Sequence, residues 1–467
     1  MLHIPLIRRG DPYVSVDRAI TRHFVTGEPV VEVSQANVGL IRRDLMKQAE
    51  SRAELARYTT AELIEMSRRA ADFFLNDTLP LGDSTQTPQQ YLESLALTTG
   101  IPWSLGKRNM ARIHGAMSQV DQVIKGLTRG LPLAALDQGY APGDPPLSFY
   151  PRGNTLGVVL PNNAPGVHAL WVPTIALKTA LVLRPGSAEL WTPYRIIQAM
   201  IKANVPKEAF HYYPSDHAAG GEILRSTSRG MIFGDASTMK QWLNDPRIEI
   251  HGPGFSKLVL GEDEADNWEQ YLDLMAASIS ANSGRSCVNA SGVWTPRHGR
   301  KIAEALADKL RSITPRTADD PEAALSPFVD ASVAERISTM IDQNLADPGA
   351  TDVMGRERLV KFHGATYLMP TILHVESPSH SMANREYLFP FASVVECPQS
   401  ELLAAMGPTL VVTALTSDRQ LQRDLLASEH VGRLNFGPIP TNQLTWDQPH
   451  EGNLFDHLYA RRAFQAA

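Results

Sequence analysis

Cysteine is scarce in this chain: only Cys287 and Cys397 occur among its 467 residues. Two thiols in a chain of this length cannot form a disulfide framework, so a reducing compartment is indicated and we expect a cytoplasmic protein. The first residues lack the long apolar core of a secretory signal, which agrees with that expectation. Cys397 ends an apolar run just before Pro398, and we predict a structural role for it.

Long hydrophobic runs and a surplus of positive charge are also missing. The most apolar long stretch, residues 168–183, is interrupted by Pro173 and Lys178, so no membrane span is predicted. The 44 basic and 50 acidic residues give a net charge of −6 without a basic arm, so no nucleic-acid partner is expected. The 14 histidines lack metal-ligand spacing such as His-Glu-x-x-His, and no metal site is predicted.

Helical periodicity dominates the region between residues 50 and 130. Thr59 and Glu62 have the spacing of a capping box, and apolar residues follow them at helical intervals. A second long helix is predicted over about 105–128, because apolar residues such as Met110 and Met117 recur on one face. The first 50 residues are predicted to form loops and short extended pieces.

An alternation of short apolar runs and helical stretches begins near residue 150. Strands are predicted at Leu156–Leu160 and Leu181–Arg184, and Thr192-Pro193 opens a helix. This alternation predicts an α/β fold with a parallel, Rossmann-like sheet covered by helices on both faces. No Gly-x-Gly-x-x-Gly follows the first strand, so the fold alone does not establish a dinucleotide site. A second series of strands is predicted at 258–260, 291–295, 367–374, 391–396, 409–415 and 432–436.

Cys287 lies just past a helical run, in a turn that contains glycine and serine. A lone cysteine is more often a small buried hydrophobic residue than a nucleophile. Here Gly284 removes side-chain bulk, so that a substrate could approach, and backbone N–H groups in such a turn can stabilise a thiolate or an oxyanion. These surroundings make Cys287 a candidate nucleophile.

Four segments in order resemble motifs of aldehyde dehydrogenases. Asn282–Cys287 resembles the Asn-x-Gly-x-x-Cys motif that carries the family's nucleophile. Leu156–Pro165 resembles its strand followed by Pro-Trp-Asn-Phe-Pro, and Leu181–Ser187 resembles Val-Val-Leu-Lys-Pro-Ser-Glu. Met369–Ile372 and Arg385–Pro390 resemble Glu-Pro-Thr-Val and Glu-Glu-Ile-Phe-Gly-Pro. The resemblance extends from about 150 to 436, and the chain is identified as a member of the aldehyde dehydrogenase superfamily.

The resemblance implies a role for each matched residue. Cys287 would attack an aldehyde to form a thiohemiacetal, which becomes a thioester when a hydride passes to NAD or NADP. The Asn163 amide and the backbone N–H of Cys287 would form the oxyanion hole. Glu386 would hold the ribose on the nicotinamide side. The remaining cofactor contacts would come from Pro161, Arg184, Ser187, Ser237 and Phe389.

The cofactor strand departs from the family pattern. Arg184 replaces a lysine, and Ser187 occupies the position of the glutamate that binds the ribose. Because a carboxylate there would repel a 2′-phosphate and a serine beside an arginine could accept one, NADP is expected at least to be tolerated. Two neighbours complicate this expectation. A small shift of the loop could bring Glu189 back to the ribose, and Asp235 would be unfavourable near a pyrophosphate if it pointed inward.

The motif of the general base departs as well. Hydrolytic members of the family carry a glutamate in Leu-Glu-Leu-Gly-Gly, whereas the run matched here, 258–262, has Val259 at that position and Glu262 three residues on. Valine cannot take a proton, and strand alternation argues against a simple replacement by Glu262. The prediction is therefore transfer of the acyl group to coenzyme A, or the reverse reduction of an acyl-CoA. A hydrolytic dehydrogenase and a catalytically silent binding homologue are the alternatives.

The resemblance also implies the domain organisation. A cofactor-binding domain is expected from 1–134 and 155–255, and a catalytic domain from 256–440. A small oligomerisation extension is expected from 135–154 and 441–467, giving a homodimer or homotetramer that acts on a small aldehyde. The tail is rich in aromatic and aliphatic residues, which would be a liability if exposed. We expect it to add a strand to a neighbour's sheet.

Overall fold

A computed structural model describes residues 1–143 and 146–465. The chain divides into two compact units. The first unit consists of Met1–Thr99, Gly106–Gly252 and Thr445–Ala467, and the second of Gly100–Leu105 and Pro253–Leu444. Each unit contains a seven-stranded sheet.

The strands and helices up to residue 252 are short and numerous. The strands are β1 (Leu2–Ile4), β2 (Leu6–Arg8), β3 (Asp11–Tyr13), β4 (Arg18–Arg22), β5 (Pro29–Ser34), β6 (Leu79–Leu81), β7 (Ser84–Gln86), β8 (Tyr140–Ala141), β9 (Leu147–Pro151), β10 (Thr155–Val159), β11 (Ala180–Arg184), β12 (Phe210–Tyr212), β13 (Arg229–Phe233) and β14 (Ile248–His251). The helices are α1 (Val38–Leu45), α2 (Gln48–Ala56), α3 (Thr60–Asn76), α4 (Pro88–Thr99), α5 (Trp103–Ser118), α6 (Val120–Thr128), α7 (Ala134–Gln138), α8 (Trp191–Lys202), α9 (His217–Ser226) and α10 (Ala236–Met239).

The rest of the chain follows the same alternation. The strands are β15 (Lys257–Leu260), β16 (Gly292–Thr295), β17 (Ala350–Asp352), β18 (Leu359–Phe362), β19 (Ala365–Leu368), β20 (Thr371–Val375), β21 (Phe391–Glu396), β22 (Thr409–Leu415), β23 (Val431–Phe436) and β24 (Tyr459–Arg462). The helices are α11 (Leu272–Ser280), α12 (Gly299–Leu310), α13 (Ala331–Leu345), α14 (Leu402–Met406), α15 (Arg419–Ala427) and α16 (Leu454–Leu458).

The large sheet of the first unit has the order β14-β13-β10-β11-β12-β2-β3. Strands β14 to β12 are parallel, and β2 and β3 join the edge antiparallel. The side chains of Leu181, Val182 and Leu183 on β11 are fully buried, because helices cover both faces of such a sheet. The predicted parallel α/β layer is therefore confirmed, and its strands begin or end within two residues of their expected bounds.

The large sheet of the second unit has the order β17-β20-β21-β16-β15-β22-β23, and only β17 runs antiparallel. Each face packs against its own apolar cluster. Val259, Trp294 and Phe391 belong to one cluster, whereas Leu258 and Val293 belong to the other. β15 is an interior strand between β16 and β22, and the segment that precedes it lies at the amino-terminal edge of the sheet.

Two of the predicted elements are each divided in two in the structure, and one predicted helix start is confirmed. The capping box of Thr59 and Glu62 is present at the start of α3. The helix expected over 105–128 is two helices, α5 and α6, because the backbone leaves the helical region at Gln119. The strand expected at 367–374 is likewise split into β19 and β20. Pro370 accounts for that break, since it has no N–H to donate to a ladder.

The C-terminal tail forms a small sheet with its own chain, in the order β24-β9-β8. Tyr459 pairs with Pro151 and Arg462 with Ser148. Leu454 and Phe455 are buried, together with Leu458 and Tyr459. Within one chain these side chains lie against β9 and α6, and the addition of the tail to a neighbour's sheet stays a prediction. Within the described residues, no helix is long and apolar enough to cross a membrane.

Candidate functional site

The loop that carries Cys287 has an unusual backbone. After α11 the chain enters a 3-10 turn in which Asn282, Ser283 and Gly284 have φ values of 51°, 59° and 65°. Two non-glycine residues in the left-handed region are strained and persist only when neighbours hold them. The Ser283 hydroxyl does so by accepting a hydrogen bond from the Ser326 N–H at 2.9 Å. The loop is therefore fixed by contacts beyond its own sequence.

Gly284 joins two of the matched motifs. A Cβ at this position would lie 2.5 Å from both the Phe389 carbonyl oxygen and the Pro390 nitrogen. Glycine is thus required both by its positive φ and by the close passage of the second backbone. Phe389 itself is 2% exposed and packs in the core with Phe391, so its ring supports the loop from inside.

Arg285 anchors the other side of the loop. Its guanidinium is buried, donates to the carbonyls of Ser326 and Pro327, and lies 5.4 Å from the centre of the Phe328 ring. Burial lowers the pKa of Arg285 to about 10, so the side chain stays charged at neutral pH. A buried cation that is held by carbonyl oxygens fixes backbone position strongly.

Cys287 is partly exposed, in contrast to Cys397. The Cys287 carbonyl accepts a hydrogen bond from the Ser256 hydroxyl at 2.7 Å. A Cβ on Gly254 would collide with that carbonyl and lie 3.1 Å from the Cys287 Cβ. Cys397 is 2% exposed, and burial raises the pKa of its thiol to about 11. Only the first of these thiols lies where a substrate could reach it.

Residues 254–256, which contact Cys287 through Gly254 and Ser256, also bind Glu386. Its carboxylate accepts from the backbone N–H of Gly254 at 3.2 Å and of Phe255 at 2.5 Å. The 254–256 segment thus contacts both Cys287 and Glu386, two residues that the sequence analysis placed in one site. Sequence reasoning missed the segment itself. The run Gly252-Pro253-Gly254 was the available signal, because glycines mark close backbone approaches.

The structure corrects the placement of the missing base. Val259 is fully buried on β15 and packs with Trp294 and Phe391. Glu262 is exposed, and its N–H is held by Gln399 at 2.8 Å. The segment against Cys287 is 254–256 rather than 258–262. A valine at position 259 is therefore explained by core packing, and it carries no information about deacylation.

A second segment has the pattern of the base motif. Ile248-Glu249-Ile250-His251-Gly252 forms β14 and the residue after it, and its sequence resembles Leu-Glu-Leu-Gly-Gly. Burial raises the pKa of Glu249, and its Oε2 is buried without a hydrogen-bond partner. His251 lies between this carboxylate, at 3.6 Å, and that of Glu451, at 2.9 Å. A desolvated carboxylate with a raised pKa is suited to accept a proton.

The carboxyl ends of β10 and β11 carry the predicted cofactor residues of the first unit. The Asn162 side chain accepts from the Ala188 N–H at 2.8 Å. A Cβ on Gly186 would lie 2.6 Å from the Pro161 carbonyl oxygen, so the two loops interlock. The next residue, Asn163, is partly exposed. Ligands of open α/β sheets bind at this end of the strands.

Arg184 and Ser187 follow β11. One Arg184 nitrogen donates to the Ser215 carbonyl at 3.0 Å, whereas its Nε is buried without a hydrogen-bond partner. Burial lowers the pKa of Arg184. Ser187 is exposed. Since an unpaired buried N–H is unfavourable, the site fits a ligand that brings an acceptor, such as a ribose hydroxyl or a phosphate oxygen.

Glu189 is excluded from the ribose. Its side chain is 1% exposed and binds His168 Nε2 at 2.8 Å. It also accepts from the Thr192 N–H at 3.0 Å and the Thr192 hydroxyl at 2.6 Å. The expectation that a loop shift could return Glu189 to the cofactor was wrong, because this carboxylate binds the first turn of α8 and is committed to a buried network.

Asp235 and Ser237 form the start of α10. The Asp235 carboxylate accepts from the Thr238 N–H at 2.9 Å and from the Ser237 hydroxyl at 2.7 Å. These hydrogen bonds, with that of the Thr238 backbone foremost, lower the pKa of Asp235. An ionised carboxylate therefore takes the donors that a pyrophosphate would need. In this arrangement the Ser237 hydroxyl is turned toward Asp235.

Comparison with known proteins shows the family and the fold of this chain. The profile of the aldehyde dehydrogenase family matches residues 88–406. Betaine aldehyde dehydrogenase of Cereibacter sphaeroides is 22% identical over 390 residues, which cover 80% of this chain and 76% of that protein. The fold of this chain is similar to that of the aldehyde dehydrogenase KauB from Pseudomonas aeruginosa. The TM-score is 0.82 at 17% identity, over 99% of this chain and 96% of that one.

An indole-3-acetaldehyde dehydrogenase solved with NAD⁺ gives a TM-score of 0.81 at 16% identity, covering 99% of this chain and 96% of that one. At such low identity the structural likeness shows the fold alone. The family profile, however, matches more than half of the chain. The protein therefore belongs to the aldehyde dehydrogenase family and is an oxidoreductase that acts on aldehydes with NAD or NADP.

Proposed function

We propose that this protein oxidises a small aldehyde through a covalent adduct on Cys287. The observation that carries the proposal is the loop of Cys287. Its three left-handed residues include Gly284, which packs against a second backbone, and the buried Arg285 anchors the loop. Strain of this kind concentrates at functional sites. The same 254–256 segment that contacts Cys287 binds the carboxylate of Glu386, which supports a joint role for the two.

The proposed chemistry assigns one task to each residue. The Cys287 sulfur attacks the carbonyl carbon, and the resemblance to the family assigns the Asn163 amide and the Cys287 N–H to stabilisation of the oxyanion. NAD or NADP, when bound, would supply the acceptor for the hydrogen and electron pair of the adduct's C–H bond, and Cys287 would then carry a thioester. Glu386 and Arg184 would hold the two riboses of the cofactor. The unpaired Nε of Arg184 supports NADP as well as NAD.

For the second half-reaction we propose water as the acyl acceptor, with Glu249 as general base. Its raised pKa and the lack of a hydrogen bond at its buried Oε2 support this role. Coenzyme A was favoured by the sequence because of Val259, and that argument is lost with Val259 in the core. Coenzyme A as acceptor becomes the alternative outcome of the experiment that tests deacylation.

The experiment follows reduced nicotinamide and free acid in the presence of an aldehyde panel, with and without coenzyme A. Glu249→Gln should leave the first turnover intact and slow steady release of acid by about 10²–10⁴-fold, the usual contribution of a general base. Glu262→Gln is the matched control, because Glu262 is exposed and belongs to the run 258–262 that the sequence first matched to the base motif. Fast acyl-CoA formation with hydrolysis indifferent to Glu249→Gln would establish coenzyme A as the acceptor.

A further inference from the structure

Lys257 is a buried cation in the second unit that the proposed mechanism does not use. It opens β15 and is 1% exposed. Its ammonium donates to the Phe255 carbonyl at 2.8 Å and to the Thr409 hydroxyl at 3.1 Å, and it lies 5.7 Å from the centre of the Trp294 ring. Burying a lysine away from water is unfavourable, so its presence here calls for a compensating role.

Three successive residues connect this lysine to the catalytic groups. Lys257 follows Ser256, whose hydroxyl binds the Cys287 carbonyl. The carbonyl that Lys257 binds belongs to Phe255, whose N–H donates to the Glu386 carboxylate. The 254–256 segment therefore forms one hydrogen bond with the nucleophile's residue, two with Glu386 and one with the buried ammonium.

We propose that Lys257 is a positioning residue for aldehyde oxidation. Its side chain fixes the 254–256 segment and thereby sets the Glu386 carboxylate and Cys287 in place. The inference rests on the proposed roles of Cys287 and Glu386. Lys257 forms no bond with the substrate and acts through the backbone that it holds.

The energetics separate this role from a purely structural one. Burial lowers the pKa of Lys257 to about 7, and Glu386 is the charged group that opposes the shift. The Thr409 hydroxyl and the Trp294 ring that also face the ammonium are neutral. The pKa of Lys257 in the folded protein lies below the ordinary 10.5. The protonated lysine therefore lowers the free energy of unfolding, and this effect has its full size below about pH 7. That destabilisation fades as the pH rises towards 10.5.

Lys257→Met keeps the length of the side chain and removes its charge. At pH 6 the free variant should unfold at a temperature no lower than wild type, because the desolvated charge is gone. Its kcat/KM should nevertheless fall at least tenfold, mainly through a higher KM for the cofactor. A Kd from nicotinamide fluorescence should rise in parallel. Lys361→Met, at an exposed position on β18, is the control and should change neither quantity.

A double-mutant cycle tests the route of the effect. If Lys257 acts through the 254–256 segment on Glu386, then Lys257→Met should weaken cofactor binding little further in a Glu386→Gln background. Thr409→Val, which removes one partner of the ammonium, should give a smaller loss in the same direction. Wild-type cofactor affinity in Lys257→Met would overturn the proposal, as would a fall in melting temperature that parallels the fall in activity, or additive effects in the cycle. If wild type itself does not oxidise aldehydes, the proposed function fails instead.

Discussion

The two cysteines show how surroundings decide what one side chain can do. Cys287 lies partly exposed in a strained loop, whereas Cys397 is buried and the pKa of its thiol is raised to about 11. A thiolate is the reactive form of cysteine, so only one of the two can serve as nucleophile at neutral pH. We expect Cys287→Ala to abolish oxidation and to leave cofactor binding nearly intact.

Cys397→Ala is the matched control for that substitution and should leave kcat within about twofold, because only core packing changes. Steady-state rates of purified variants, with cofactor affinity from nicotinamide fluorescence, measure both effects. Residual activity of more than a few per cent in Cys287→Ala would disprove the assignment, and so would an equal loss in Cys397→Ala.

Glu189 and Arg184 lie close in sequence but have different surroundings. Because Glu189 is bonded to His168 and to the start of α8, Glu189→Gln should lower stability by about 1–3 kcal/mol. It should leave the ratio of kcat/KM for NAD and NADP unchanged. Arg184→Gln should shift that ratio toward NAD, because the charge that would meet a 2′-phosphate is removed. Denaturant unfolding and rates with both cofactors test these two variants. A changed ratio of kcat/KM for NAD and NADP in Glu189→Gln would show that Glu189 does contribute to the cofactor site.

At the scale of elements, the meeting of two loops at Gly284 is the decisive contact. Gly284→Ala would place a methyl group 2.5 Å from the Phe389 carbonyl oxygen at a φ of 65°. We expect a loss of at least tenfold in kcat together with reduced stability. Gly355→Ala has a similar φ of 59° but no atom within 4 Å, so it carries only the backbone strain, typically about 1 kcal/mol. Equal effects of the two substitutions on rate and melting temperature would show that the contact with Phe389 is unimportant.

The sequence predicted single elements better than their assembly. Apolar runs gave the strands β21 and β22 to the residue, because burial and strand pairing act locally on side-chain type. The 254–256 segment was missed, since its position depends on β15 lying inside a sheet, between β16 and β22. The base motif was assigned to 258–262 for the same reason. The hydrophobic pattern alone does not distinguish a strand that only packs in the core from a strand that carries a site residue, because both have the pattern apolar–x–apolar.

At the scale of the whole molecule, the small sheet β24-β9-β8 is the remaining candidate for contact between copies. Within one chain, β24 of the tail already pairs with β9. Tyr140, Leu147 and Tyr150 are 38%, 45% and 40% exposed. Exposed apolar residues that cluster in one sheet mark interaction surfaces. We expect a homodimer or a multiple of it, in keeping with the resemblance to the family.

Light scattering at micromolar concentration measures this state. Leu147→Lys combined with Tyr150→Lys should shift the protein toward monomer, because charges would be buried in the contact. Leu243→Lys, at a position that is 65% exposed elsewhere, is the control. A monomeric wild type would contradict the expectation outright.

The division of the first unit between both ends of the chain has a consequence for synthesis on the ribosome. Trp446 and Asp447 pack against Gly115 and Gly126, and the Tyr459 hydroxyl donates to the Leu177 carbonyl at 2.9 Å. These partners are translated more than 250 residues apart. The second unit is nearly continuous in sequence, and its large sheet contains no strand of the tail. The first unit must wait with its tail site open, so a messenger that stops early would yield one finished unit and one exposed apolar surface for chaperones and proteases.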